Sequence, residues 1–237
     1  MSTHVTTTNP VRTDVADVDR ATADTRPPAS RSWAFAGIGA GLCGIGTLVT
    51  SSMVNAIYDP AIQGDQAAIA ARLGEQVAPM FAFHTFTVVG AVLMLVFAAG
   101  LHRRISDALP GSSLAMLAFS GLVGTAFVSV MGSGLDTEFM LGIPDGYILD
   151  APAVMYNHWI GTIPWLWTLA GVTGLALFAA ARRGGVPRWI GLVGLVLGGI
   201  TLLAGASPFQ YLAILPGALW LLATAIGVSL GDRAARG

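Results

Sequence analysis

Asp, Glu, Lys and Arg are missing from six stretches of the chain, residues 33–58, 81–101, 114–135, 159–181, 189–206 and 211–230. A helix rises 1.5 Å per residue, so about 20 apolar residues cross a hydrocarbon layer roughly 30 Å thick. The pattern predicts six transmembrane helices separated by loops at 59–80, 102–113, 136–158, 182–188 and 207–210. The expected fold class is therefore all-α, a polytopic membrane helix bundle over residues 32–231. Residues 1–31 read as a disordered cytoplasmic tail, rich in Thr, Asp, Ala and Arg with the breaker pair Pro27-Pro28, and residues 232–237 as a short cytoplasmic C-terminal tail. The first tail lacks the apolar core of a signal peptide, so the first span is expected to stay in the mature protein.

Composition agrees with this pattern. Hydrophobic residues make up 54% of the 237 and charged ones 11%, against about a quarter charged in soluble domains. A fold in water could not hide so much apolar surface. Charge then sets an orientation. Short cytoplasmic loops retain Arg and Lys while Asp and Glu weigh little, and eleven of the twelve arginines fall on one side of a six-span arrangement, with Arg72 alone on the other. Both termini are thus expected inside, and the outer face carries Asp59, Asp65, Glu75, Asp136, Glu138, Asp145 and Asp150.

The first outer loop contains its own helix signal. Asp65 is placed to cap a helix whose Ile69, Leu73 and Val77 form one apolar stripe against Gln66, Arg72 and Gln76, predicting a helix lying on the membrane surface. Pro144-Asp145-Gly146 marks a turn that folds the second outer loop back. Trp33 and Trp189 mark the inner membrane boundary, and Tyr58, Tyr156 and Trp159 the outer one. Pro164 and Pro216 are expected to kink the fourth and sixth spans or end their first turns.

Several motifs lose their usual meaning in this setting. Gly39 to Gly44 matches the dinucleotide fingerprint G-x-G-x-x-G but lies within an apolar helix, not between a strand and a helix. The pairs Gly37 and Gly41, and Gly194 and Gly198, form small-xxx-small faces, suited to packing within the monomer or to a homo- or hetero-oligomer seam. The chain has no lysine, which excludes a retinal Schiff base and a lysine nucleophile. Gly132-Ser133-Gly134 resembles a rhomboid serine, yet the last two spans hold no histidine to activate it. Cys43 is the single cysteine and lies in the first apolar run, so no intramolecular disulfide forms.

One constellation remains, at the outer boundary. His84 stands about one turn inside the second span, Asp136 and Glu138 close the third, and Asn157 and His158 open the fourth, with Asn55 and Asp59 joining from the first. Imidazole and carboxylate together bind zinc or another divalent ion, or divide acid and base roles. His84, Asp136, Glu138 and His158 are thus candidate metal ligands, and His84 with His158 a candidate axial pair for a b-type haem. The bland reading is that polar residues gather at span ends because they cap helices and meet water there.

The run Val186-Pro-Arg-Trp-Ile-Gly-Leu-Val-Gly194, followed by a Gly- and Leu-rich span and a final span ending in arginines, resembles bacterial membrane proteins grouped as the DUF4386 type. Asp59-Pro60 with a short helix before the second span looks similar too. The resemblance implies a multi-pass protein of a bacterial inner (cytoplasmic) membrane, and no activity. The sequence leaves two functional expectations. The first is a non-catalytic membrane component, an accessory, lipid-interacting or transporter-like subunit, since ionised residues of the kind that drive ion-coupled carriers are absent from the spans. The alternative is a membrane-embedded enzyme or metal- or haem-binding protein with the outward-facing His/Asp/Glu site. The expected partner is the lipid bilayer, with no nucleic acid.

Overall fold

A computed structural model describes residues 31–234. The tail expected over 1–31 lies outside it except for Arg31, as do residues 235–237. The described residues form helices joined by turns and short loops, without a strand, and six segments are long and apolar enough to span a membrane. The chain is a multi-pass all-α membrane bundle.

The first span is α1 (Ser32–Ser52) and ends in a 3₁₀ turn at Ala56–Tyr58. The short helix α2 (Gln66–Gly74) precedes the second span, α3 (Val77–Ala108). At 32 residues α3 is about 48 Å long, well beyond the hydrocarbon thickness. It therefore continues as a helix through Arg103 and Arg104, beyond the apolar run that ends at Leu101, and the loop expected at 102–113 shrinks to five residues, 109–113. The third span, α4 (Leu114–Gly132), breaks at Ser133 and resumes as α5 (Asp136–Gly142). The fourth is divided into α6 (Asp150–Ile160) and α7 (Thr168–Arg182) by a 3₁₀ turn at Ile163–Trp165. Pro164 in that turn lacks the N–H that a continuous helix would need.

The fifth span runs from α8 (Arg188–Val193) through one π-helical turn (Gly194–Gly198) into α9 (Gly199–Gly205). The sixth is α10 (Ile214–Ala234), preceded by a 3₁₀ turn at Gln210–Ala213. Pro216 falls in the first turn of α10, where the backbone N–H has no helical acceptor, so it opens the helix and produces no kink. Because α10 continues to Ala234, the tail expected from residue 232 is helical for its first three residues.

The spans form a closed ring. Helix α1 packs on α3 and on α10, α3 on α4, α4 on α7, and α7 on the fifth span, which in turn meets α10. Sequence neighbours are thus spatial neighbours, and the sixth span closes the ring onto the first. Glycine makes the closest approaches possible. A Cβ at Gly41 would lie 2.9 Å from the Leu222 Cα of α10, and one at Gly198 would lie 2.8 Å from the Gly174 Cα of α7. Gly37 faces Phe97 and Ala225, and Gly194 faces Gly174. All four glycines are buried against other spans of the same chain, the intramolecular packing that was one of the two expectations for those faces. Interhelical hydrogen bonds add to it, Thr47 to Thr87 between α1 and α3 at 3.2 Å and Thr173 to the Ala118 carbonyl at 2.8 Å.

A second core sits apart from the core of the ring. Val54, Ile69, Leu73, Phe83, Phe139, Met140, Tyr156 and Ile160 bury one another at the end of the bundle where α2, α5 and α6 meet the top of α3. We call this layer the cap. Asp65 caps α2 as the sequence predicts, its carboxylate accepting from the Ala68 N–H at 3.0 Å. The Ile69 and Leu73 stripe, however, packs on α6 inside the protein and not on a lipid surface. The loop at 136–158 is itself mostly helix, folded back at residues 143–149 by a turn in which Gly146 takes a φ of 71°.

Candidate functional site

The short break between α4 and α5 brings a carboxylate into the cap. Ser133 ends α4, its N–H reaching the Ser129 carbonyl at 3.1 Å and its hydroxyl the Val130 carbonyl at 3.0 Å. Gly132 allows Pro164 and Ile163 to pack directly on the turn, since a Cβ there would lie 2.8 Å from the Pro164 Cγ. The Trp159 indole N–H donates to the Gly132 carbonyl at 2.8 Å. Asp136 then opens α5 with no exposed surface at all.

Both oxygens of that carboxylate are engaged. The Tyr156 hydroxyl donates to Oδ1 at 3.0 Å, and His84 places Nδ1 3.0 Å from Oδ2. The three side chains come from α6, α3 and α5, so the cluster ties both cap helices to the second span. The Tyr156 ring is stacked on Phe139, with centroids 4.4 Å apart and planes within 3°. His84 is the one member that meets the surface, its side chain one-third exposed. A carboxylate without such donors would be very costly to bury.

A second polar unit fastens the cap to α1. Asn157, fully buried, accepts from the Ile57 N–H at 3.1 Å and donates to the Val54 carbonyl at 2.8 Å. Gln76 forms a reciprocal pair with Asn55, accepting from its backbone N–H at 3.1 Å and donating to its side-chain oxygen at 2.9 Å. The Ser51 hydroxyl reaches the Ile160 carbonyl at 2.9 Å. The backbone groups freed where α1 ends are thus satisfied by side chains of other elements.

Of the four residues expected to bind a metal, His84 and Asp136 meet, while Glu138 and His158 are exposed and stay outside the cluster. The reason is helical geometry. Two residues along a helix turn the side chain by about 200°, so Glu138 points away from Asp136 and His158 away from Tyr156. Among the described residues no group of three His, Cys, Asp or Glu side chains is close enough to hold a metal ion. The same rotation separates His84 from His158 as a haem pair.

Two members escaped the sequence reading. Tyr156 was expected in the outer aromatic belt and is instead 1% exposed, a buried donor. Gln76, on the polar side of the expected surface helix, is 8% exposed and packs against Asn55. The available signal was spacing, since Tyr156 lies three residues after Ala153 and four before Ile160, all on one buried face of α6. Asp59, expected near the cluster, turns instead to the Ala61 N–H at 3.0 Å on the surface.

The clamp around Asn55 borders a cavity of about 530 Å³ between the end of α1, the Ile163–Trp165 turn and the start of the sixth span. Ser51, Asn55, Tyr58, Thr162, Trp165 and Tyr211 line it, and the Trp165 indole nitrogen is buried without a hydrogen-bond partner. Its lining contains none of His84, Asp136 and Tyr156. Comparison with known proteins adds no relative: no family model, curated protein or solved structure matches this chain.

Proposed function

We propose that this chain is a non-catalytic membrane component, an accessory subunit whose outer polar residues hold a rigid cap on a six-span bundle. The observation that carries this reading is the full engagement of the buried carboxylate. Asp136 has one oxygen under the Tyr156 hydroxyl and the other against His84, and the neighbouring cavity is lined by neutral side chains from elsewhere. Acid and base groups work in catalysis where they face a space that substrate enters. Here the ionisable cluster and the cavity are separate, and the cluster joins α3, α5 and α6 where a structural lock is needed.

The cap then presents a fixed surface to a partner or to lipid. Tyr147 and Leu149, 82% and 76% exposed, stand on its turn. We read the orientation as both termini inside and the membrane as the bacterial inner membrane, on the arginine distribution and the resemblance to the DUF4386 type.

The test is direct. Full-length protein purified from its native membrane is submitted to element analysis and absorption spectroscopy, and then assayed in proteoliposomes for solute uptake under an imposed ion gradient. The expected result is no stoichiometric metal, no Soret band and no uptake, with His84→Ala lowering thermal stability and His158→Ala leaving it unchanged. Stoichiometric zinc, a Soret band lost in either variant, or uphill transport by the protein alone would overturn the proposal.

A further inference from the structure

The end of the bundle opposite the cap carries a different feature. Where α7 ends and the fifth span begins, a cavity of about 610 Å³ opens among Phe178, Ala181, Arg182, Val186, Arg188 and Leu192. Its floor is apolar and its mouth holds two guanidinium groups, both exposed and neither with a carboxylate partner among the described residues. The third arginine of this turn is occupied otherwise, Arg183 reaching the Ser112 hydroxyl at 3.4 Å. The groove lies where one span ends and the next begins, and the ends of spans are where lipid headgroups meet a membrane protein. Trp189, 49% exposed beside Arg188, belongs to the residue type that settles at that boundary.

We infer that this groove is a binding site for one anionic phospholipid, with Arg182 and Arg188 gripping the phosphate diester and Phe178 and Leu192 receiving the start of an acyl chain. Charge complementarity selects the ligand. Guanidinium groups form charge-assisted, frequently bidentate hydrogen bonds to phosphate oxygens, and basic pockets between spans are the places where anionic headgroups lodge. A zwitterionic headgroup carries its own cation and gains far less from two arginines. A free phosphate ion would meet the same guanidiniums but leave the apolar floor in water, so the floor favours the lipid. The site and the cap lie at opposite ends of α6–α7, and neither reading rests on the other.

The experiment uses the full chain in a neutral detergent with phosphatidylglycerol or phosphatidylcholine added, and native mass spectrometry counts retained lipid. The expected result is one phosphatidylglycerol retained per chain, phosphatidylcholine retained at least tenfold less, and no displacement by millimolar inorganic phosphate. The double variant Arg182→Gln/Arg188→Gln is expected to lose retention about tenfold or more at unchanged thermal stability, because both side chains are exposed. The control Arg103→Gln/Arg104→Gln, equal in charge removed, is expected to retain the lipid. Equal retention of the two lipids, loss in the control as large as in the test variant, or displacement by phosphate would overturn the inference. Should the double variant fail to fold, Arg188→Gln alone is read against Arg103→Gln by the same criterion.

Discussion

Tyr156→Phe removes one oxygen atom and nothing else. The ring remains stacked on Phe139 at 4.4 Å, and the helix around it is undisturbed. What disappears is a 3.0 Å hydrogen bond onto a carboxylate with no solvent exposure. Hydrogen bonds to charged groups contribute about 1.5–3 kcal/mol, which is roughly a 10- to 150-fold change in the equilibrium between attached and detached cap. The detached state exposes α2 and the 143–149 turn, so hydrogen exchange of the α2 amides in detergent measures it. Those amides are expected to exchange faster by that factor in Tyr156→Phe. The decisive control is a cycle with Asp136→Asn, where the lost charge removes most of the value of the hydroxyl. A coupling energy of at least about 1 kcal/mol is expected, since residues in contact couple by 0.5–3 kcal/mol. Additive effects within about 0.5 kcal/mol would refute the cluster as a lock.

Other outcomes follow from the same contacts. Asn157→Leu strands the Ile57 N–H and the Val54 carbonyl; at about 1–3 kcal/mol for each unsatisfied group, it is expected to lower the thermal stability of the purified protein more than Tyr156→Phe does. Gly41→Ala drives a methyl group against the Leu222 backbone, whereas a Cβ at Gly199 meets nothing within 4 Å. Melting in detergent should therefore fall for Gly41→Ala, and hold or rise for Gly199→Ala by the helix preference of alanine, about 0.5–1 kcal/mol. In a Cys43→Ala background, an impermeant thiol reagent added to cells is expected to label cysteine placed at the exposed Asp145 and to spare cysteine at the exposed Asp107. Labelling in the reverse sense would invert the proposed orientation.

The six spans were legible because each carries its own evidence, whereas their closure into a ring depends on contacts between helices far apart in the chain. A charge-free run needs no partner to announce itself, and the π turn, the break at Pro164 and the start of α10 only adjust the edges of such runs. The cap was legible in pieces. Asp65 and Pro144-Asp145-Gly146 act locally, and both signals describe what is seen. The apolar stripe of α2 could not tell lipid from protein, because Ile69 and Leu73 suit either neighbour. The polar cluster was half legible for a related reason. Depth brought His84, Asp136, Glu138 and His158 to one boundary, but depth fixes only one coordinate, and the rotation of α5 and α6 about their axes chose Asp136 and Tyr156 over Glu138 and His158. Gln76 and Asn157 serve backbone groups on a distant element, a role no local pattern displays.

The closure of α10 onto α1 has a consequence for how the protein is made. The first span enters the bilayer well before the sixth is synthesised, and the face of Gly37, Gly41 and Gly44 on α1 receives Ala225, Leu222 and Ala218 of that later helix, beside Phe97 of α3 at Gly37 and Trp167 at Gly44. Until α10 arrives, Gly41 lacks the Leu222 backbone that it packs on, and the half-built ring stays open along one side. Assembly is therefore finished by the arrival of α10, and a ribosome that stalls before it releases a chain whose opening helix carries an unsealed edge.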